Sequence, residues 1–364
     1  MGRPTCRVLV MVAAVALLAA ACGDDDGDDT APVPTAAPTT STTVATTTTS
    51  AAPTTTVVTT TTEAVDPLTL PPPQAQESPA IIDRRDHGRQ PCALEVTDAG
   101  RVFVTFFGGN DVAEMDPATG DVIQRLRTGG GPCGVAAIDD QLWVAELGTD
   151  LVNRIDPDTG DVLATVELAS DPWDLQPGAG YLWVAERDPG VVIRVDPATG
   201  AESGRVEGLG SASGLVVANG LVWVADELNA EVVRIDPDTV AVVDRLAVGQ
   251  APKWFGANDA SVWLTTSDGL QQLDPDTGEV LSTTDVGEGP LDLVVTETDV
   301  WVPDSGQGIV TRLDATSGEV IDRLKLTTGV YVIEPVVDDI WVLNFQFQAR
   351  GHIFRLDPTV PFND

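Results

Sequence analysis

Positive charge and histidine are both scarce in this sequence. Its 364 residues include 20 Lys and Arg against 56 Asp and Glu, which gives a formal net charge of −36. Lys253 and Lys325 are the only lysines, and His87 and His352 are the only histidines. A protein that binds a phosphate backbone needs a positive face, so we expect no nucleic-acid partner. With only two histidines in the sequence, sites that are built from several histidines are also excluded.

Long apolar runs are also missing, apart from Val8–Leu18 near the N-terminus. That run has 11 residues, too few to span a bilayer comfortably, and it follows Arg3 and Arg7. Three alanines then precede Cys22. We therefore predict a signal peptide at residues 1–21. The segment resembles a bacterial lipobox, which implies a lipid on Cys22, although Ala19 stands where that motif usually has Leu. An ordinary secretory signal is the alternative.

Residues 30–62 contain no charged side chain and consist mainly of Thr, Ala and Pro. Residues 22–78 show no hydrophobic periodicity and too little apolar surface for a core, so we expect a disordered tether. Together, signal, lipidated Cys22 and tether predict an exported protein. The lipid would anchor it to the outer face of a bacterial cell membrane.

The rest of the chain is an internal repeat of about 40 residues. An aspartate that is usually followed by proline recurs seven times, as does an aromatic residue. The aspartates are Asp116, Asp156, Asp196, Asp236, Asp274, Asp314 and Asp357. The aromatic residues are Phe103, Trp143, Trp183, Trp223, Trp263, Trp301 and Trp341.

Each repeat divides into four short, β-rich segments separated by turn signals, which is typical of propeller blades. The last repeat lacks a fourth strand, and Ile81–Arg85 upstream of the first repeat matches the fourth strand Val320–Leu324. We therefore predict an all-β fold: one closed seven-bladed β-propeller over residues 79–364, in which the N-terminal strand completes the last blade. We expect a monomer.

The repeat phrases Leu142–Ala145 (Leu-Trp-Val-Ala) and Arg154–Gly160 (Arg-Ile-Asp-Pro-Asp-Thr-Gly) carry a family resemblance. They resemble the YVTN-type and streptogramin (virginiamycin B) lyase-like propellers over nearly all of residues 79–364. For activity, the lyase resemblance implies a catalytic His near the central funnel, with a Glu and a bound magnesium ion. His87 and His352 do not lie at the corresponding strand ends, so that pattern does not carry over.

Residues that break the repeat point to a candidate ligand site. In propellers the first strand of each blade lines the central channel, and its start lies at the same end as the end of the second strand. Aromatic faces stack on sugars or cations, and carboxylates accept hydrogen bonds. The alternative is a channel wall that only ordered water contacts. The candidates at these strand ends are Glu146, Trp173, Asp174, Glu186, Asp226, Lys253, Trp254, Asp292, Asp304 and Tyr331.

Cys92 and Cys133 occupy matching positions in adjacent repeats, each directly after a proline. Equivalent positions of neighbouring blades approach each other near the axis, and an exported protein meets an oxidising compartment. We therefore expect a disulfide between them, with two free thiols as the alternative.

These observations predict an envelope lipoprotein whose propeller binds a ligand or protein, with no catalysis that we can assign. The expected partners are the membrane, through the lipid, and an envelope protein, a glycan or a small molecule. No cofactor is expected. The alternative function is a streptogramin-lyase-like or hydrolase enzyme that uses funnel carboxylates and a divalent cation.

Overall fold

The computed structural model describes residues 78–345 and 351–362. The predicted signal peptide, Cys22 and the tether up to residue 77 lie outside the described residues. Within the described part, no helix is long and apolar enough to cross a membrane.

Seven four-stranded antiparallel sheets form the blades of a ring. In each blade the first strand is innermost and the fourth is outermost, as the repeat predicted. A 3-10 turn at Phe107–Gly109 follows the second strand of the first blade. The strands are β1 (Ile81–Asp86), β2 (Pro91–Val96), β3 (Val102–Phe106), β4 (Asp111–Met115), β5 (Val122–Arg127), β6 (Pro132–Ile138), β7 (Gln141–Glu146), β8 (Leu151–Ile155), β9 (Val162–Glu167), β10 (Pro172–Gly178), β11 (Tyr181–Glu186), β12 (Val191–Val195), β13 (Glu202–Val206), β14 (Ala212–Ala218), β15 (Leu221–Asp226), β16 (Glu231–Asp236), β17 (Ala241–Ala247), β18 (Pro252–Ala257), β19 (Val262–Thr266), β20 (Gly269–Leu273), β21 (Val280–Thr284), β22 (Val294–Val295), β23 (Asp299–Asp304), β24 (Ile309–Asp314), β25 (Val320–Lys325), β26 (Val330–Val336), β27 (Asp339–Asn344) and β28 (His352–Leu356).

The last blade is completed by the first strand of the chain. Its sheet has the order β1-β28-β27-β26, with Ile81 opposite Leu356 and Asp86 opposite His352. The predicted closure is confirmed. Because β1 is the outer strand of a blade whose other strands come from the C-terminus, unfolding of either end opens the ring. Closure also covers a sheet edge that would otherwise be free to pair with another chain.

The repeated tryptophans fill the spaces between neighbouring blades. Trp143 is fully buried in a cluster that includes Leu182 and Val184 of the next blade, and Trp223 packs in the same way against Val262 and Leu264. Each blade is a thin sheet with two apolar faces, so one large aromatic side chain per interface supplies much of the buried area. This packing gives the repeated aromatic residues a structural role.

The Asp-Pro phrase forms the turn between the third and fourth strands. The Oδ1 atom of Asp156 accepts hydrogen bonds from the backbone N–H groups of Asp158 (2.8 Å) and Thr159 (3.1 Å). Gly160 ends the turn at a φ of +78°, a conformation that favours glycine. The aspartate therefore acts as a turn residue.

The arginine of the same phrase joins neighbouring blades, a role that the sequence did not reveal. In the second, third, fourth and sixth blades its guanidinium lies against an aromatic ring of its own blade and donates a hydrogen bond to a turn carbonyl of the next. Arg194 donates to the carbonyl of Pro237 (2.6 Å), and Arg234 donates to that of Asp276 (2.8 Å). Arg234 lies 5.0 Å from the Trp223 ring centroid. Turn, aromatic ring and arginine thus form an interlocking unit in these four blades, whereas Glu114 and Gln272 replace the arginine in the first and fifth blades.

Candidate functional site

The start of the first strand departs from regular pairing in most blades. In the third blade the register shifts between Pro172 and Asp174, which leaves Trp173 unpaired. The same shift leaves Cys92, Cys133 and Tyr331 unpaired in their own blades. A bulge adds one residue and redirects its side chain, and here each of these side chains lines the central channel. Because the sixth blade begins with the short strand β22, Leu291–Leu293 also line the channel without strand pairing.

A cavity of about 190 Å³ occupies the channel at this end of the ring. Residues of all seven first-strand segments contribute to its wall. The wall combines an apolar lining with aromatic and acidic groups. Its aromatic and acidic residues are Trp173, Trp254, Phe255, Tyr331, Glu95, Asp174, Asp292 and Glu334.

Half of the predicted ligand-site residues lie on this wall. Trp173, Asp174, Trp254, Asp292 and Tyr331 line the cavity. The structure places the other five outside the lining, namely Glu146, Glu186, Asp226, Lys253 and Asp304.

The carboxylates that end the second strands are enclosed by the loops that connect the blades. Glu146 is 1% exposed, and it accepts hydrogen bonds from the backbone N–H of Gly129 (2.7 Å) and the side chain of Asn153 (2.9 Å). Asp226 is fully buried and accepts from the N–H groups of Gly210 and Ser211. Each incoming loop brings backbone N–H groups that need acceptors once they are buried.

The two remaining second-strand carboxylates follow the same pattern. Glu186 accepts from the N–H of Ala169 (3.0 Å) in the incoming loop. Asp304 accepts from the N–H of Glu288 (3.3 Å) in the incoming loop and from those of Gly306 and Gln307 in its own hairpin turn. Burial raises the pKa of Glu186. These four residues therefore anchor the connections between blades, which is why they do not face the cavity as the sequence had suggested.

Three cavity carboxyl groups join adjacent first strands. Asp174 Oδ2 accepts from the backbone N–H of Leu215 in the next blade at 2.7 Å. Asp292 Oδ2 accepts from that of Ile333 at 3.0 Å, and Glu95 Oε1 accepts from Ala137 at 3.2 Å. First strands of different blades do not pair with each other, so these carboxyl groups provide hydrogen bonds across the gap.

Burial is the largest influence on the pKa values of these three carboxyl groups. It raises the pKa of Asp174 and of Asp292 to about 7, although backbone hydrogen bonds oppose the rise. Burial likewise raises the pKa of Glu95 to about 8. Their side chains keep some accessible surface because they face the cavity, but protein atoms surround the carboxyl groups closely enough to disfavour charge.

Glu334 is an acidic wall residue that sequence reasoning missed. Burial raises its pKa well above the usual range, and the nearby Asp292 and Glu95 raise it further. Among the described residues, no hydrogen bond to its carboxyl group is found. The available signal was its position four residues after Val330, the first residue of β26. Glu95 stands at the matching position after Pro91 in β2, in strands that are otherwise largely apolar.

Charged residues also lie at the mouth of the cavity, where the first strands begin. The Arg187 guanidinium lies 4.4 Å from the Trp173 ring centroid and forms an ion pair with Glu227 at 2.8 Å. One face of Trp173 is therefore already covered. Lys253 follows Pro252 at the start of β18, and its pKa is lowered by burial and by Arg187, whereas Glu227 and Asp304 raise it. Trp254 is half-buried and packs beside the cluster between the fifth and sixth blades.

A disulfide joins Cys92 and Cys133 on the wall of the same cavity. Their Cα atoms are 4.9 Å apart, within the usual range for this bond. Tyr331 adds a second connection, because its hydroxyl donates to the carbonyl of Cys92. The first blade is thus tied to the second by the disulfide and to the last by this hydrogen bond.

The two histidines lie away from the cavity lining. His87 follows β1 and its ring centroid lies 6.0 Å from that of Phe106; burial and Arg125 lower its pKa. His352 belongs to β28, and burial and Arg84 lower its pKa. Over residues 78–345 and 351–362, no group of three or more His, Cys, Asp or Glu side chains has the arrangement of a metal site.

No protein-family model matches the chain, and no curated protein matches it. Several solved structures, in contrast, are similar to this chain. Virginiamycin B lyase from Staphylococcus aureus is 15% identical, covers 75% of this chain and 98% of its own, and superposes with a TM-score of 0.65. A streptogramin B lyase is 14% identical over 76% of this chain and 96% of its own, with a TM-score of 0.63. BamB from Moraxella catarrhalis is 15% identical over 73% and 85%, with a TM-score of 0.55. At these identities the likeness confirms the streptogramin lyase-like propeller resemblance at the level of the fold.

Proposed function

We propose that the propeller is a binding module that takes a small, amine-bearing polar ligand into the central cavity. The observation that carries the proposal is the wall itself. Carboxyl groups from four blades, Glu95, Asp174, Asp292 and Glu334, share a cavity of about 190 Å³ with Trp254. An ammonium group complements acidic side chains and aromatic faces, and both interactions are stronger where protein atoms enclose the charge.

The ligand would reach the cavity at the mouth, where the first strands begin. Trp254 and the free side of Trp173 would border it there, and Asp174 and Asp292 would lie beyond them. Tyr331 would contribute ring surface, because its hydroxyl already donates to the carbonyl of Cys92. The anchoring carboxylates Glu146, Glu186, Asp226 and Asp304 have no part in this proposal.

Calorimetric titration of the full chain tests the proposal, with putrescine, choline and glucosamine as probes and glucose as the uncharged match for glucosamine. We expect at least one amine to bind and Trp254→Ala to weaken it at least tenfold. Glu319→Gln, an exposed change on the outside of the ring, is the control. Binding of glucose as tightly as glucosamine would overturn the proposal, as would binding that is insensitive to Trp254→Ala.

Mg²⁺ and Ca²⁺ belong in the same experiment as thermal-shift probes. A ligand that binds only the folded state raises the melting temperature. A large, metal-specific rise without any amine binding would replace this proposal with the lyase or hydrolase alternative.

We also propose that the protein is a lipoprotein, anchored through Cys22 to the outer face of the cell membrane and held away from it by the tether of residues 22–78. The sequence of the N-terminal segment supports this. Cys22→Ser should move the protein from the membrane fraction into the medium. Retention in the membrane fraction would contradict the anchor and would leave the ligand proposal unaffected.

A further inference from the structure

Two ionisable side chains at this end of the channel, one basic and one acidic, make no side-chain hydrogen bond or ion pair among the described residues. Lys253 makes no hydrogen bond or ion pair there. The two carboxylates whose charge acts on it are engaged elsewhere. Glu227 pairs with Arg187 at 2.8 Å, and Asp304 accepts from backbone N–H groups. Lys325, the other lysine, donates to the carbonyl of Gln307. Lys253 does not line the cavity itself, but it directly precedes the lining residue Trp254, and Arg187, whose charge acts on it, covers the lining residue Trp173. Its ammonium group therefore lies at the edge of the cavity, where the first strands begin.

Glu334 is the counterpart deeper in the channel. The other three carboxyl groups on the cavity wall each accept a backbone N–H from a neighbouring blade: Glu95 from Ala137, Asp174 from Leu215 and Asp292 from Ile333. Glu334 lines the same cavity without such a bond. Its carboxyl group is therefore the one on this wall that no backbone N–H of another blade occupies, and both of its oxygens can bind a ligand.

The two groups lie at different depths. Lys253 is one residue beyond Pro252, the start of β18, and Glu334 is four residues beyond Val330, the start of β26. Lys253 lies in the irregular stretch between the pairs Pro252–Thr266 and Phe255–Leu264, whereas Glu334 lies opposite Trp341, three partner residues beyond Asn344. Strands rise about 3.3 Å per residue, so a difference of two to three residues corresponds to about 7–10 Å of strand. The reach of the two side chains shortens the space between the charged groups. A peptide spans about 3.5 Å per residue, so two or three residues fit this interval.

The wall between these levels suits a peptide backbone with small or apolar side chains. Leu215, Leu291, Leu293 and Val332 supply apolar surface, and Trp254 supplies an aromatic edge. Gln176 adds a neutral polar group on the same wall. Apolar lining with a few convergent polar groups is the usual composition of a small-ligand pocket.

We propose that the ligand is a short peptide, of two or three residues, with both ends free: its carboxylate lies at the mouth near Lys253 and its ammonium group lies beside Glu334. This inference rests on the function proposed above and narrows it from amines in general to a zwitterion of fixed orientation. Glu334 and Lys253 then set specificity from the two ends of the cavity.

Blocked peptides test the orientation directly. The probes are alanyl-alanine, alanyl-leucine and trialanine, each free, N-acetylated, C-amidated and blocked at both ends, titrated calorimetrically into the full chain. We expect at least one free peptide to bind, and blocking either end to weaken it at least tenfold. Equal binding of free and doubly blocked peptides would overturn the inference.

Charge-removing variants assign each end. Lys253→Gln should weaken the free peptide at least tenfold and change the affinity of the C-amide less than twofold. Glu334→Gln should weaken the free peptide and leave the N-acetyl form nearly unchanged. Lys325→Gln and Glu319→Gln are the matched controls, and melting curves verify that each variant folds. Equal losses for all forms of the peptide in either variant would contradict the orientation.

The outcomes separate this inference from the broader function. If putrescine, choline or glucosamine binds and no free peptide does, the peptide inference fails and the amine-binding function stands. If neither amines nor free peptides bind, both fail.

Discussion

Aspartate and tryptophan have opposite surroundings in two regions of this propeller, the repeated turns and blade interfaces on the one hand and the central channel on the other. The turn aspartate Asp274 is partly exposed at the surface, and hydrogen bonds from Thr277 lower its pKa. The channel aspartate Asp174 is enclosed, and burial raises its pKa to about 7. The tryptophans divide similarly: Trp223 is fully buried between blades, whereas Trp254 borders the cavity. We call the repeated turn and interface residues the framework. Position relative to the repeat, rather than residue type, separates the framework from the candidate site in the channel.

This contrast separates two contributions to the large negative net charge of the chain. Hydrogen bonds from backbone and hydroxyl groups lower the pKa of five turn aspartates, which therefore stabilise turns as anions and keep the surface soluble. These five are Asp116, Asp236, Asp274, Asp314 and Asp357. The channel carboxyl groups are held in a setting that disfavours charge, which a cationic ligand would reverse. An acidic group whose ionisation requires a partner is better suited to recognition than one that is already satisfied.

The largest expected difference between the two regions concerns the tryptophans. Trp223→Ala should cost about 3–5 kcal/mol of the free energy of unfolding, because it leaves a cavity between blades. Trp254→Ala should cost about 1 kcal/mol or less, because its side chain already faces open space. Urea denaturation followed by circular dichroism measures both. Equal losses would show that the distinction between framework and channel is wrong for tryptophan.

The disulfide is the exception within the channel, since it lines the cavity and yet is expected to stabilise the fold. Replacing Cys92 and Cys133 together by alanine should cost about 2–4 kcal/mol, because the bond closes a loop whose ends are 41 residues apart. A reducing agent should destabilise the unmodified protein by a similar amount and leave the double variant unchanged. Mass spectrometry of non-reduced peptides should recover the Cys92–Cys133 pair, and recovery of two free thiols would contradict it.

The framework was predictable from the sequence because its determinants are local and repeated. The spacing of Trp143 and its equivalents gave the number of blades, and the match between Ile81–Arg85 and Val320–Leu324 gave the closure, which the order β1-β28-β27-β26 confirms. Turn formation at Asp156 needs only the four residues that follow it. A determinant that recurs in every blade can be recognised without knowing how the blades pack.

The site was less predictable because its determinants cross from blade to blade. The sequence placed Glu146 at the correct end of its strand but could not show that the N–H of Gly129 would occupy its carboxylate. Nor could it show that Asp292 accepts a backbone hydrogen bond across blades while Glu334 does not. Such differences depend on the exact approach of neighbouring first strands, which no periodicity in the chain encodes.

The channel carboxyl groups should give the protein an unusual pH dependence between about pH 4 and 7. The folded-state pKa of Asp174, about 7, lies above its unfolded value, so the folded state holds more protons in this window. Its contribution to stability is therefore full below pH 4 and is lost as the pH rises through 7. Asp174→Asn removes that dependence, at a roughly constant cost of about 1 kcal/mol for the hydrogen bond that one amide oxygen cannot accept. Urea midpoints at intervals from pH 4 to 8 should show the variant gaining on the unmodified protein as the pH rises. A constant difference would contradict the raised pKa.

The turn aspartates should show the opposite dependence and the smallest effect. The folded-state pKa of Asp274 is lowered, so its contribution is present above its unfolded pKa and is lost as the pH falls through the folded value. Its Oδ1 atom alone accepts from the N–H groups of Asp276 and Thr277 and from the Thr277 hydroxyl. Asp274→Asn keeps that acceptor and should be nearly neutral at pH 7, whereas Asp274→Ala loses all three bonds. Below about pH 4 the asparagine variant should become the more stable relative to the unmodified protein, because only the aspartate is then protonated. The contrary result would be that Asp274→Asn gains stability relative to the unmodified protein as the pH rises from 4 to 7, which is the result expected for Asp174→Asn. Turn and channel carboxyl groups would then not differ in the way that their surroundings imply.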